Sequence, residues 1–224
     1  MTKELVISAY QRPYTQWTKY INPDVKVTVY RKGIDFKNPD EIFLEKNVGQ
    51  DVHTFFNHIL TQYDNLADYT FFSQDFPFDH VSRYIEIINA NPTYWTDCCN
   101  MKIEGYYAFS SATALHWDPS FPPEFYKEAY TGKTLICKQD GSPHHRPYEL
   151  NLDTLWTQLF KGTPPTHFEF VPSGHFCASR DQLRIRSKEF YAKLINLLET
   201  RPLCPYEVER LEPYILNPAF ESIL

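Results

Sequence analysis

The residues best placed to do chemistry lie in the run Phe71-Phe-Ser-Gln-Asp-Phe-Pro-Phe-Asp-His80, where Gln74, Asp75, Asp79 and His80 follow an aromatic, β-branched segment, Tyr69–Phe72. Such a segment is expected to form a buried strand. In open α/β sheets ligands occupy the crevice beyond the carboxyl ends of the strands, so these polar groups fall where a site is expected. Hard carboxylate oxygens with one imidazole suit Mn²⁺ or Mg²⁺, which makes Asp75, Asp79 and His80 a candidate metal set. The competing structural roles are a turn for Asp75 and a helix N-cap for Asp79. Glu169 and Glu209 are the candidate general bases. Glu169 projects from the strand face opposite to Phe168 and Phe170, and Glu209 stands beside Arg210 on the last expected helix. Arg180, Arg184 and Arg186 gather after a short strand, where guanidinium groups can grip diphosphate oxygens in pairs. His53 and His58 are five residues apart, so they cannot form an i,i+4 metal pair; His53 is close enough to the helix start to reach a cleft, and His58 reads as a core group.

The elements that must position these groups follow from periodicity. Leu5–Ala9 is an apolar run, and Val25–Tyr30 alternates with period two; both read as strands, and Gly33 closes the second. Ile42–Leu44 suggests a third short strand. Over Asp51–Tyr63 the apolar positions Val52, Phe55, Phe56, Ile59, Leu60 and Tyr63 share one helical face, and Asp64–Asp68 is turn chemistry. A helix over Asp79–Asn89, helices at Leu152–Leu159 and Ser187–Thr200, and one beginning near Pro205 complete the helical set, with strands at His167–Val171 and Phe176–Ser179. From Thr93 to Pro123 no clean period emerges, and Lys138–Pro147 reads as a polar surface loop. This order implies one α/β domain over residues 1–224, with a mixed, mostly parallel central sheet flanked by helices.

Composition narrows the function classes. With 22 Lys and Arg against 28 Asp and Glu, the formal charge is −6 and no basic block appears, which disfavours nucleic acid as a partner. Five cysteines, two of them adjacent at Cys98-Cys99, do not make a secreted disulfide framework. No apolar run approaches the length of a membrane span, and the first residues enter a strand with no leader-like segment, so a cytoplasmic protein is expected.

Asn47-Val-Gly49, His53-Thr54, His58-Ile59, Tyr63-Asp64, Leu66, Gln74 and Pro77–His80 together resemble a family catalogued only as a domain of unknown function, DUF3431. Val6–Tyr10, Lys32-Gly33, Val171-Pro172, Gly174, Phe176, Ser179-Arg180, Arg186, Phe190-Tyr191 and Glu209–Leu211 extend the likeness over nearly the whole chain. The pattern departs at Gln11-Arg12-Pro13, Gln50-Asp51 and Asp75-Phe76. A looser resemblance links the strand–helix–strand order and the stretch Phe168–Arg180 to nucleotide-sugar glycosyltransferases of the GT-A type, a fold-level analogy. It implies a nucleoside-diphosphate sugar as donor, a glycan or other hydroxyl as acceptor, and a divalent cation. Tyr10, Lys32, His53, Gln74, Arg180 and Arg186 are then expected to bind the nucleotide, and Glu209 or Glu169 to act as base. The alternatives from other classes are a carbohydrate- or protein-binding module without catalysis, and a metal-dependent hydrolase built on His53, Asp79 and His80.

Overall fold

The first strand explains the layering. In the computed structural model β1 (Lys3–Tyr10) is buried over almost its whole length, as a strand covered on both faces must be. Val6 faces one core with Phe55, Phe56 and Phe72, while Leu5 and Ile7 face a second core with Phe71, Tyr84 and Trp95. Two apolar layers on one sheet demand helices on both sides. The structure describes residues 1–10, 14–33, 39–44, 46–78, 80–110, 130–131, 134–138, 150–171 and 174–224.

After β1 a 3-10 helix (Tyr14–Tyr20) leads to β2 (Val25–Lys32), β3 (Ile42–Leu44), α1 (Gln50–Thr61) and β4 (Tyr69–Gln74). Next come α2 (Tyr84–Asn89), α3 (Pro92–Cys98), β5 (Met101–Ile103), β6 (Tyr106–Ala108), β7 (Tyr130–Thr131) and β8 (Thr134–Lys138). The chain ends with α4 (Leu152–Leu159), β9 (His167–Phe170), β10 (Phe176–Ser179), α5 (Arg180–Leu183), α6 (Lys188–Thr200) and α7 (Cys204–Ile215). A seven-stranded sheet runs in the order β3-β2-β1-β4-β10-β6-β5. Its first four strands are mutually parallel, and β10 pairs antiparallel to β4 with Phe176 opposite Phe72. A three-stranded sheet, β7-β8-β9, completes the mixed α/β architecture.

The expected central helix, β4 and the late helices form where the periodicity places them. One boundary differs. The helix expected from Asp79 begins only at Tyr84, because Pro77 O accepts the amides of His80 (3.1 Å) and Val81 (2.7 Å) and turns the chain first. Asp79 itself lies outside the described residues, as do His144-His145 and the Gln139–Pro147 part of the expected loop. The stretch without a legible period contains α3 and the short hairpin β5–β6, elements of three to seven residues that are too brief for periodicity to register. Among the described residues no helix is long and apolar enough to cross a membrane.

Candidate functional site

At the carboxyl ends of β1, β2 and β4 the polar residues interrupt the apolar runs and face one another across the strand ends. Lys32, the last residue of β2, is 2 % exposed and donates from Nζ to Val48 O at 2.9 Å and to Gln50 O. Burial pushes its ammonium down to about 8, against the pull of Asp51. These bonds pin the entry to α1, where Gly49 (φ 66°) and then Gln50 (φ 47°) both take left-handed backbone. For a residue with a Cβ that conformation costs about 1–2 kcal/mol. Gln50→Gly should therefore raise stability by about 0.5–1 kcal/mol, the relief being partly offset by glycine's greater freedom when unfolded. A rise in the urea midpoint at unchanged slope measures it.

Asp51 stands in the first turn of α1 and accepts a hydrogen bond from the Ser8 hydroxyl of β1. Ser8 Oγ lies 2.9 Å from Thr54 Oγ1, so the two hydroxyls tie helix to strand beneath the carboxylate. Asp51 keeps some contact with solvent, yet protein encloses it so far that lost hydration raises its carboxyl to about 6. Asp75 and Glu209 push the same way, whereas Ser8 and Lys32 oppose. Asp75 and Glu209 each lie within electrostatic reach of Asp51.

Asp75 follows β4, half-buried. Burial raises its carboxyl, which is held by the backbone amides of Tyr10 and Phe76 and lies within the field of Arg31. Its carbonyl accepts the Trp17 indole at 2.8 Å. Arg31 is committed elsewhere, gripping Glu41 through Nε and Nη2 at 2.7 Å each. Glu209 stands on α7, with Arg210 Nη1 at 3.3 Å. Next to this cluster, Gln74 Nε2 is 3.3 Å from Nε2 of His175, whose ring centroid lies 5.8 Å from that of His80. His175 is buried, and loss of hydration, with His80 acting in the same direction, lowers it to about 3.

Of the sequence-derived candidates, Lys32, Asp75 and Glu209 thus lie within electrostatic reach of Asp51, and Tyr10 and Gln74 flank Asp75. Others stand apart. Arg180 binds Asp68 Oδ1 at 2.9 Å and Leu66 O at 2.7 Å, at the amino end of β4 and so roughly 20 Å from Asp75 along a six-residue strand. Arg186 is buried and donates to Ile215 O (2.8 Å), Tyr214 O (3.1 Å) and Asn217 O (2.8 Å), closing the carbonyl end of α7. Neither guanidinium faces the crevice, which corrects the expectation that they steady a diphosphate there. Arg186→Ala should cost about 2–3 kcal/mol of stability by stranding those carbonyls, while any ligand-induced thermal shift persists. Glu169 projects into solvent from β9, and its amide donates to Tyr214 Oη at 2.8 Å. His53 turns toward α6, with Nε2 3.3 Å from Glu199 Oε1. His58 is a core group as expected, its Nδ1 3.0 Å from Tyr30 Oη. Among the described residues no group of three His, Cys, Asp or Glu side chains gathers as a metal site.

Sequence reasoning missed Ser8, Asp51 and His175. Ser8 has a legible signal, a hydroxyl interrupting the apolar run Leu5–Ala9; Asp51 does not, because an acid in a first helical turn has an ordinary explanation in the helix dipole.

A family model described as protein of unknown function (DUF3431) matches residues 5–221. The chain belongs to the DUF3431 family. Nothing among the curated proteins or the solved structures matches it. The DUF3431 match spans every strand and helix that builds the crevice, from β1 with Ser8 to α7 with Glu209.

Proposed function

We propose that this DUF3431 protein is a glycosyltransferase that moves a sugar from a nucleoside-diphosphate donor to a hydroxyl of a glycan acceptor. What supports the reading above all is Asp51, fastened to Ser8 of the parallel strand β1, with Asp75 and Glu209 within electrostatic reach and its carboxyl raised to about 6. A general base works best when its proton affinity lies near the operating pH. In the reaction the acceptor oxygen forms the bond to the anomeric carbon, the bond to the diphosphate oxygen breaks with its electron pair, and Asp51 takes the acceptor's proton. Glu209 keeps Asp51 receptive to that proton through its own charge. The Ser8 hydroxyl, itself bonded to the Thr54 hydroxyl, holds the carboxylate of Asp51 in place.

The leaving diphosphate needs positive charge, and Arg31 and Lys32 are engaged by Glu41 and by backbone carbonyls. A divalent cation, Mn²⁺ or Mg²⁺, fits a site of this kind, because such ions are commonly held by one or two carboxylates together with the substrate's own phosphate oxygens. Asp75 is the carboxylate for that role, with His80 and Asp79 beside it in sequence; the ion would neutralise charge on the leaving group.

Thermal denaturation with UDP-, GDP- and CMP-sugars, with and without Mn²⁺, tests the reading. One nucleotide sugar should raise the melting temperature in a metal-dependent way. Stabilisation by free glycans alone would point to a binding module, and turnover of a simple ester or phosphoester without nucleotide would point to a hydrolase.

A further inference from the structure

His175 is 2 % exposed, and its Nδ1 is buried with no hydrogen-bond partner among the described residues. Lost hydration lowers the ring to about 3, so at neutral pH it carries one proton and must place it on one nitrogen. Its Nε2 faces the side-chain amide of Gln74 at 3.3 Å. The amide can offer either atom there, because a half-turn exchanges its oxygen and nitrogen. With the proton on Nδ1, the Gln74 amide donates to the imidazole, a buried N–H is left without an acceptor, and Gln74 Oε1 points away. With the proton on Nε2, the imidazole donates to Gln74 Oε1, Nδ1 is left only as an unused lone pair, and the Gln74 NH₂ group points away. An orphaned buried N–H is rarer than an under-used acceptor, which favours the second arrangement. The surroundings agree. Gln74 is the last paired residue of β4, opposite Ser8 of β1, and the Ser8 hydroxyl donates to Asp51. Val6 and its partner Phe72 face one core, Leu5 and Phe71 the other, so the alternation puts Ser8 and Gln74 on the face that α1 covers. With neighbouring strands about 4.8 Å apart, Gln74 and Asp51 flank one serine, and a carboxylate favours an N–H beside it over a further carbonyl oxygen. Gln74 is half-buried, and neither atom of its amide is sealed without a partner.

We infer that His175 is a positioning residue that fixes Gln74 as a hydrogen-bond donor beside Asp51, and that donor and carboxylate together take two adjacent hydroxyls of a neutral sugar. One hydroxyl donates to Asp51, and the oxygen of the other accepts from the Gln74 amide. The inference rests on the transferase reading only for naming this sugar the acceptor, whose proton Asp51 then takes. Arg31 is held by Glu41, and Lys32 by Val48 O and Gln50 O, so the donor here is an uncharged amide and an uncharged sugar suits it better than an anionic one.

Nitrogen-15 NMR of the full chain reads the tautomer and the ligand together. His175 should show the Nε2–H form with Nδ1 unprotonated. Methyl glucoside, mannoside, galactoside and xyloside serve as probes. At least one should move the Gln74 side-chain amide signals, and bind about tenfold more weakly when either of two adjacent hydroxyls is replaced by hydrogen. Gln74→Glu still accepts from His175 but has no N–H to offer, so it should lose about tenfold or more in affinity at unchanged circular dichroism. His175→Phe keeps a ring against Tyr84 and should lose as much. Combined with Gln74→Leu it should lose no more than either change alone, because both remove one interaction. An Nδ1–H tautomer overturns the inference, and so does a His175→Phe protein of wild-type affinity or a double variant whose losses add. If no glycoside moves the amide although a nucleotide sugar stabilises the protein, the inference falls and the transferase reading stands. If a glycoside binds through Gln74 but no nucleotide sugar does, the inference stands and the transferase reading falls. If neither binds, both fall.

Discussion

Asp51→Asn should lower transfer by about 10²–10⁴-fold, the ordinary worth of a positioned general base, while leaving nucleotide-dependent stabilisation intact. The variant keeps the side chain's shape and an oxygen that can accept from the Ser8 hydroxyl, so the fold has no reason to yield. It also removes a charge that two neighbouring carboxylates disfavour, and the protein should tolerate it at neutral pH without loss of stability. The wild-type rate should rise with pH as Asp51 loses its proton near 6, and Glu209→Gln should move that limb to lower pH by relieving the repulsion. Rate measured against pH in the three proteins checks the assignment. An Asp51→Asn enzyme of wild-type rate would end it.

The second large effect concerns stability. Glu212 is 4 % exposed on α7 and accepts from Tyr106 Oη at 2.8 Å through Oε1, while Oε2 is buried without a hydrogen-bond partner among the described residues. Burial raises its carboxyl to about 8, with Tyr106 opposing and Glu209 reinforcing. The folded protein therefore holds a proton that the unfolded chain, with an ordinary value of 4.5, has already released. Its stabilising share is complete below about 4.5 and is lost as pH rises through about 8, at up to about 1.4 kcal/mol per pH unit. His58 and His175 act in the other direction. Burial lowers them to about 4 and about 3 from an ordinary 6.5, so both destabilise the fold only as pH falls below 6.5. Asp51 has finished most of its change by pH 7, and Lys32, lowered to about 8 from 10.5, acts above that window. Between pH 6.5 and 8 the decline belongs mainly to Glu212. Glu212→Gln, a mimic of the undissociated acid, should flatten it and exceed wild-type stability by roughly 2 kcal/mol or more at pH 8. Urea midpoints across pH 5–9 provide the measurement, and parallel curves for the two proteins would refute the protonated state.

The alternation of Leu5, Val6 and Ile7 between two cores, and the face Val52, Phe55, Phe56 and Ile59 of α1, are local patterns that the chain carries openly. So is the placing of Gln74 and Asp75, because a strand end in a parallel sheet is a position readable from neighbouring residues alone. The arginines were illegible for the opposite reason. Arg186 completes a helix end 29 residues away, and Arg180 an ion pair 112 residues back, so only tertiary contacts reveal that their charges are spent. Glu209 reads in sequence as one of an exposed pair, yet its partner Arg210 is 1 % exposed, with its guanidinium 4.8 Å from the Phe170 ring. Asp51 shows the limit most clearly. Its chemistry comes from Ser8, Asp75 and Glu209, three elements brought to it by two crossovers and the terminal helix.

The most direct test is a carboxyl ¹³C NMR titration of Asp51 in the wild type, Asp75→Asn and Glu209→Gln. A shared crevice predicts a midpoint near 6 that drops in both variants, as each neighbouring charge is removed. A midpoint at the ordinary 3.8, unmoved by either substitution, would mean that the three acids do not meet and that the strand ends hold no such site.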